Sequence, residues 1–212
     1  MLHDDELSLT QPNVTEAKVR ALTDAIDAYD VWAVHIGPVA RRRGKAYADV
    51  MKIVGRDDDR DLVRHAKKLK KVVKLEHDVF GKLRLDRSVN VYQGKCAWNG
   101  RLIHVDFALD KNGDHESALA AGTKLWKKQK TIGAALLECS VKRLLALKNG
   151  SWLDGDEKKV TAAVFKARMK LRSVSVNPDG RFTFEFDDGD LFWGHRVSVS
   201  GSVKKGPTDA SI

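Results

Sequence analysis

The strongest constraint on this chain lies near its C-terminus, where Phe182, Phe184 and Phe186 alternate with Thr183 and Glu185 between two turn sequences. Residues two apart on a strand share a face, so these three rings demand a hydrophobic layer to cover them. Upstream, Asn177-Pro178-Asp179-Gly180 sets a tight turn, with Pro fixing φ and Gly accepting the left-handed position; downstream, Asp187-Asp188-Gly189-Asp190 sets the next. The segment reads as a meander of three strands, 171–176, 181–186 and 191 to about 200, with Leu191-Phe192-Trp193-Gly194-His195 opening the last.

A second strand group precedes it, at 79–85, 89–98 and 101–109, and Asn99-Gly100 joins its last two members. Asn-Gly between strand-like runs is a strong hairpin signal because a type I′ turn needs positive φ at both central residues. Ile103, Val105, Phe107 and Leu109 share one face, leaving His104 and Asp106 on the other. Between the groups the pattern is helical at 116–129, at 132–148 and at 157–169, with Asn149-Gly150 stopping the second helix and Val160, Val164 and Phe165 inward on the third.

Ahead of all this, the first dozen residues read as a loose tail and 15–29 as a helix capped by Thr15. Apolar runs at 31–39 and 46–54 flank the basic turn Arg41-Arg42-Arg43-Gly44, the first a strand, the second a strand or short helix. The expected fold is α+β: antiparallel sheet segments in two three-strand meanders, separated by about three helices, with an N-terminal helix and strand extension. Residues 1–76 form an N-terminal region ending in a basic helix, and 77–212 form the α+β domain. The two strand groups hint at a pseudo-repeat, yet their residues do not align beyond hairpin chemistry.

The formal charge is +9, and its distribution matters more than its size. Residues 56–170 hold 26 basic and 15 acidic side chains, a net +11, whereas 1–55 carry 7 and 8 and 171–212 carry 5 and 6. A central excess of this kind attracts nucleic acid, an anionic surface or an acidic protein. Part of it lies on the helix introduced by Asp57-Asp58-Asp59 and expected to run to about Leu75. At about 100° per residue, Arg60, Arg64, Lys67, Lys71 and Lys74 form one stripe, opposite Leu62, Ala66, Leu69 and Val73. Such a stripe is either a solvated face or a docking ridge. A second basic patch, Lys124, Lys127 and Lys128, surrounds Leu125 and Trp126, which fit the buried side of a helix.

Motifs that carry chemistry are missing. The seven histidines are scattered, Cys96 and Cys139 share no metal-type spacing, and there is no HExxH, GxSxG, Walker A, GxGxxG or CxxC. No metal site, cofactor or catalytic residue is expected. Asp187, Asp188 and Asp190 lack the further oxygen ligands of a calcium loop and read as a hairpin turn. His195 falls with Leu191, Trp193, Val197 and Val199 on an apolar strand face, which favours a structural histidine; a site near Trp193 and His195 is the enzymatic alternative. Tyr92, Trp98, Phe182, Phe184, Phe186 and Trp193 sit where core residues are needed rather than where bases stack. Reduced cysteines, the lack of signal-peptide regions at Met1-Leu2-His3-Asp4 and the lack of an apolar run near the roughly 18 residues of a membrane span point to a cytoplasmic protein.

Phe80-Gly81-Lys82-Leu83-Arg84-Leu85-Asp86, Tyr92-Gln93-Gly94, Trp98-Asn99-Gly100, Leu147-Lys148-Asn149-Gly150-Ser151-Trp152 and the closing Asp188-Gly189-Asp190-Leu191-Phe192-Trp193-Gly194-His195 block together give the chain a family likeness. It resembles, over about 77–212, a bacterial family of uncharacterised proteins, domain of unknown function 2262. The resemblance implies a soluble bacterial protein with no catalytic residues to transfer. By analogy with toxin-immunity neighbourhoods, it implies an immunity or inhibitor protein that neutralises a cognate toxin. Inhibitors of nucleases tend to be acidic, so a toxin blocked by this basic chain is expected to present an acidic surface; a nucleic-acid-binding role is the alternative.

Overall fold

A computed structural model describes residues 7–10, 14–42 and 45–212. Arg43-Gly44 of the expected basic turn and most of the expected N-terminal tail lie outside these residues. The chain forms two compact units, Met1–Val72 and Val73–Ile212. Among the described residues it is α+β, with mixed sheets and five helices.

In the first unit, β1 (Leu7–Thr10), α1 (Glu16–Ala25), β2 (Trp32–Ile36), β3 (Ala40–Arg42) and β4 (Lys45–Arg56) precede α2 (Arg60–Lys70). The long β4 is the spine: β1 pairs with it in parallel, and β2 and β3 pair with it antiparallel. The run at 46–54 is therefore a strand, and residues 7–10 of the expected tail pair with it. Its alternation is carried by small side chains, Ala46 and Ala48, which are the buried hydrophobics among the described residues of this unit. Asp59 caps α2, accepting from the Asp61 and Leu62 backbone N–H groups at 3.0 and 2.9 Å. The C-terminal end of α2 is tied by Lys70, which donates to Asp30 at 2.9 Å, where Arg56 also pairs at 3.1 Å. That hydrogen bond from Lys70 is the largest influence holding the Asp30 carboxyl below its ordinary range.

The second unit opens with the meander β5 (Lys74–His77), β6 (Gly81–Asp86), β7 (Val91–Trp98) and β8 (Arg101–Ala108). Then come α3 (Glu116–Lys127), α4 (Gln129–Ser151) and α5 (Ala162–Arg168), and a second meander of β9 (Lys170–Val176), β10 (Arg181–Asp187), β11 (Arg196–Ser202) and β12 (Gly206–Ser211). Each meander has four strands rather than the expected three. They join into one eight-stranded sheet through a parallel pairing of β8 with β9, the crossover between them carrying the three helices.

Phe182, Phe184 and Phe186 are buried as their alternation demands, beside Val105, Phe107, Val174, Val197 and Val199. Leu125, Trp126, Leu136 and Leu144 of the helices belong to the same core cluster. Each such fully buried Phe contributes about 1.5–3 kcal/mol of transfer free energy. Alternate residues, among them Gln93, His104, Thr183 and Ser198, point to the polar face. Gly122 is where α3 comes closest: a Cβ there would stand 2.5 Å from Phe107 Cε1 and 3.1 Å from Phe80 Cζ.

Several expectations are corrected. The basic helix stops at Lys70, because Lys71 turns extended (ψ 127°) and Lys74–His77 pair with β6. α4 continues through Asn149-Gly150 to Ser151, since Asn149 bonds both backbone groups of Val160 instead of ending the helix. α5 begins only at Ala162, capped by Thr161, and Val164 is exposed while Val160 and Phe165 are buried. Leu191-Phe192-Trp193-Gly194-His195 is not a strand but a run of tight turns, and β11 begins at Arg196.

Candidate interaction site

The basic residues named from the sequence fall into two groups. In the first unit Arg60, Arg64 and Lys67 lie on α2, and Arg64 is paired with Asp61 at 2.7 Å. Lys71 is the C-cap of the helix, and Lys74 is the first residue of β5 in the second unit. The five-residue stripe on one helix is thus reduced to three residues. No residue of α2 is fully buried; Val63, Ala66 and Leu69 form its inward side, with Leu62 exposed.

The other group meets a more developed surface. Lys124 lies on the side of α3 that carries Ser117, Ala120 and Ala121, and this side forms one wall of a cleft of about 440 Å³. The opposite wall is two turns of the sheet, Pro178-Asp179-Gly180 between β9 and β10 and Ser202-Val203-Lys204-Lys205 between β11 and β12. Local chemistry shapes both. Gly180 sits at φ 80° and donates to Asn177 O at 2.9 Å, Lys205 N donates to Ser202 Oγ at 3.2 Å, and Val203 N donates to Gly180 O at 3.0 Å, locking one turn to the other.

Charge in this cleft is one-sided. Its carboxylate, Asp179, accepts from Arg181 N at 3.0 Å and Arg181 Nε at 2.6 Å, and the backbone bond is the largest influence holding it below its usual range. Lys124, Lys204 and Lys205 have no carboxylate partner among the described residues. Lys127 and Lys128 follow three and four residues after Lys124, both exposed, at the junction of α3 with α4. The second basic patch therefore continues past one end of the cleft. Lys204 and Lys205 escaped the sequence reading because β12 did: Gly206-Pro207-Thr208-Asp209 has the composition of a loop, and only its pairing with β11 makes it a strand.

The alternative site near Trp193 and His195 has a different character. Asp188 is buried and its carboxylate accepts from the backbone N–H groups of Phe192 at 2.6 Å, Gly194 at 3.2 Å and Asp190 at 3.3 Å. It thereby curls the loop over itself and turns Trp193 outward, 61% exposed, at φ 54°. His195 is exposed as well, so the apolar strand face expected for it does not exist. Trp152 packs against Phe192, Trp193 and His195 with centroid distances of 5.6, 4.7 and 5.4 Å. Beneath it Lys148, fully buried, donates to Trp152 O at 2.6 Å and to Glu157 Oε2 at 2.5 Å. Among the described residues, His195 packs its ring against Trp152. Of the six aromatics weighed in the sequence, the other five are buried.

No group of three or more His, Cys, Asp or Glu side chains among the described residues is arranged to hold a metal ion. No helix among them is long and apolar enough to cross a membrane. Comparison with curated proteins and with solved structures found no match. A family model described as an uncharacterized protein conserved in bacteria (DUF2262) matches residues 77–212, all of them in the second unit, and the chain belongs to this family.

Proposed function

We propose that this protein is a non-catalytic interaction module, an immunity or inhibitor protein that binds an acidic segment of a partner protein, most concretely a cognate toxin. The observation that carries the reading is the cleft between α3 and the two sheet turns, where Lys124, Lys204 and Lys205 stand without carboxylate partners. A partner's Asp or Glu side chains would supply the missing counter-charges, and cations of this kind act chiefly on the association rate. Burial of Tyr92, Trp98, Phe182, Phe184 and Phe186 favours a protein over single-stranded nucleic acid, which needs exposed rings on which bases stack.

The test is a pull-down and a binding-kinetics measurement against the product of the adjacent open reading frame, with Lys124, Lys204 and Lys205 all reversed to Glu. The expected result is loss of the complex and of protection, with an unchanged melting temperature. Unchanged binding and protection would refute the role of the cleft. Retention on heparin that falls steeply with salt and disappears in the triple variant would transfer the cleft to nucleic acid instead.

A further inference from the structure

A second cleft in the same unit shares no lining residue with the lysine cleft and has a different chemistry. It has a volume of about 330 Å³, at the small end of the roughly 300–1,000 Å³ of ligand pockets. Its walls are apolar: Leu136 and Leu137 from α4, Met169 at the C-cap of α5, Leu171 in β9, and Phe186 near the end of β10. Polar groups enter from one side only, the turn between β7 and β8.

Trp98 and Arg101 are cross-strand partners in that hairpin, so their side chains leave the same face of the sheet. Trp98 is 95% buried by its 5% exposure, wedged edge-on between Trp126 at 4.8 Å and Phe184 at 5.1 Å. Its Nε1–H nevertheless has no acceptor among the described residues, whereas the neighbouring Trp126 Nε1–H donates to Ala97 O at 2.9 Å. Trp98 Nε1 is not itself enclosed, since the enclosed side-chain atom left without a partner among the described residues is Trp32 Nε1, so the Trp98 donor is open to the cleft. The open N–H lies beside Gly133, where a Cβ would stand 3.7 Å from Trp98 Nε1 and 3.1 Å from Asn99 Nδ2. Glycine near the start of a 23-residue helix is less favourable than alanine, and here it keeps the donor uncovered. Arg101, exposed at the mouth, has no carboxylate partner among the described residues.

An apolar slot with an N–H donor and a guanidinium on one side matches one class of small molecule. We propose that this cleft binds an anionic amphiphile, an apolar chain ending in a carboxylate. The chain lies along Leu137 and Leu171, the partly exposed apolar residues of the lining, above the buried Met169 and Phe186, and the carboxylate accepts from the Arg101 guanidinium and from Trp98 Nε1–H. A carboxylate supplies two acceptor oxygens, enough for both donors.

The experiment is calorimetric titration of the full chain with decanoate below its micelle concentration, with decyltrimethylammonium as the control of equal chain length and opposite charge. Saturable decanoate binding is expected, at least about tenfold tighter than the cationic control. Arg101→Gln, a change at an exposed residue, weakens decanoate by about tenfold, the loss of one charge-assisted contact. In a nitrogen-15 proton spectrum, the Trp98 indole resonance, assigned by its loss in Trp98→Phe, shifts as decanoate is added. Gly133→Leu, checked for an unchanged helical spectrum, blocks binding; should it fail to fold, Arg101→Gln and the indole resonance carry the test alone. Absence of saturable binding, equal binding of the two head groups, or an unmoved Trp98 resonance would each overturn the proposal.

Discussion

Replacing Asp188 by Ala tests the claim that one buried carboxylate shapes the Trp193 loop. Its bond from Phe192 N is the shortest of three, at 2.6 Å, and Phe192 is itself fully buried. A hydrogen bond to a charged acceptor is worth about 1.5–3 kcal/mol. The bonds from Gly194 N at 3.2 Å and Asp190 N at 3.3 Å are longer and contribute less. Removing the acceptor also leaves the Phe192 N–H buried without a partner, so a net loss of about 3 kcal/mol is expected. For a unit spanning Val73–Ile212 that corresponds to a fall in Tm of about 10 °C. Asp188→Asn keeps an acceptor oxygen but loses the charge, and is expected to lose about half as much. Equilibrium urea unfolding, read by far-ultraviolet ellipticity and by tryptophan fluorescence, measures both variants. A loss below about 1 kcal/mol in Asp188→Ala, or Asn as damaging as Ala, would refute the reasoning.

Two further outcomes follow from the packing and ion pairs. Gly122→Ala gains up to about 1 kcal/mol of helix propensity but drives a methyl into Phe107 and Phe80, so thermal melts should show a net destabilisation of about 1–3 kcal/mol, and a stabilised variant would refute the close approach. The Glu157 carboxyl is held below its ordinary value, first by the Lys148 hydrogen bond, so its contribution is present above the unfolded value of about 4.3 and is lost as pH falls through the lower folded value. Lys148→Met removes that linkage, and the gap in Tm between it and the wild type should narrow as pH falls from about 7 to about 3; a constant gap would show that Lys148 acts only through packing.

What could be read without coordinates was whatever local chemistry dictates. Period-two alternation of Phe182, Phe184 and Phe186, Asn-Gly at 99–100, Pro-Asp-Gly at 178–180 and the acidic run Asp57-Asp58-Asp59 each specify a strand, a turn or a helix start from a few neighbouring residues. Lys124 could be marked as a basic surface residue for the same reason.

Long-range pairing decided the rest. Whether Lys74–His77 extends a helix or begins a sheet depends on β6, and whether Gly206–Ser211 is a loop or a strand depends on β11. Neither partner's influence is visible in the segment itself. The Leu191–His195 block shows the limit most sharply: its alternation fits a strand, yet the buried carboxylate of Asp188 collects three backbone N–H groups and coils it into turns. The lysine cleft and the Trp98 pocket are likewise products of assembly. Each brings together turns and helices far apart in the chain: α3 packed on the sheet beside two turns of the second meander makes the lysine cleft, and the joining of the two meanders through the parallel β8–β9 pair makes the Trp98 pocket.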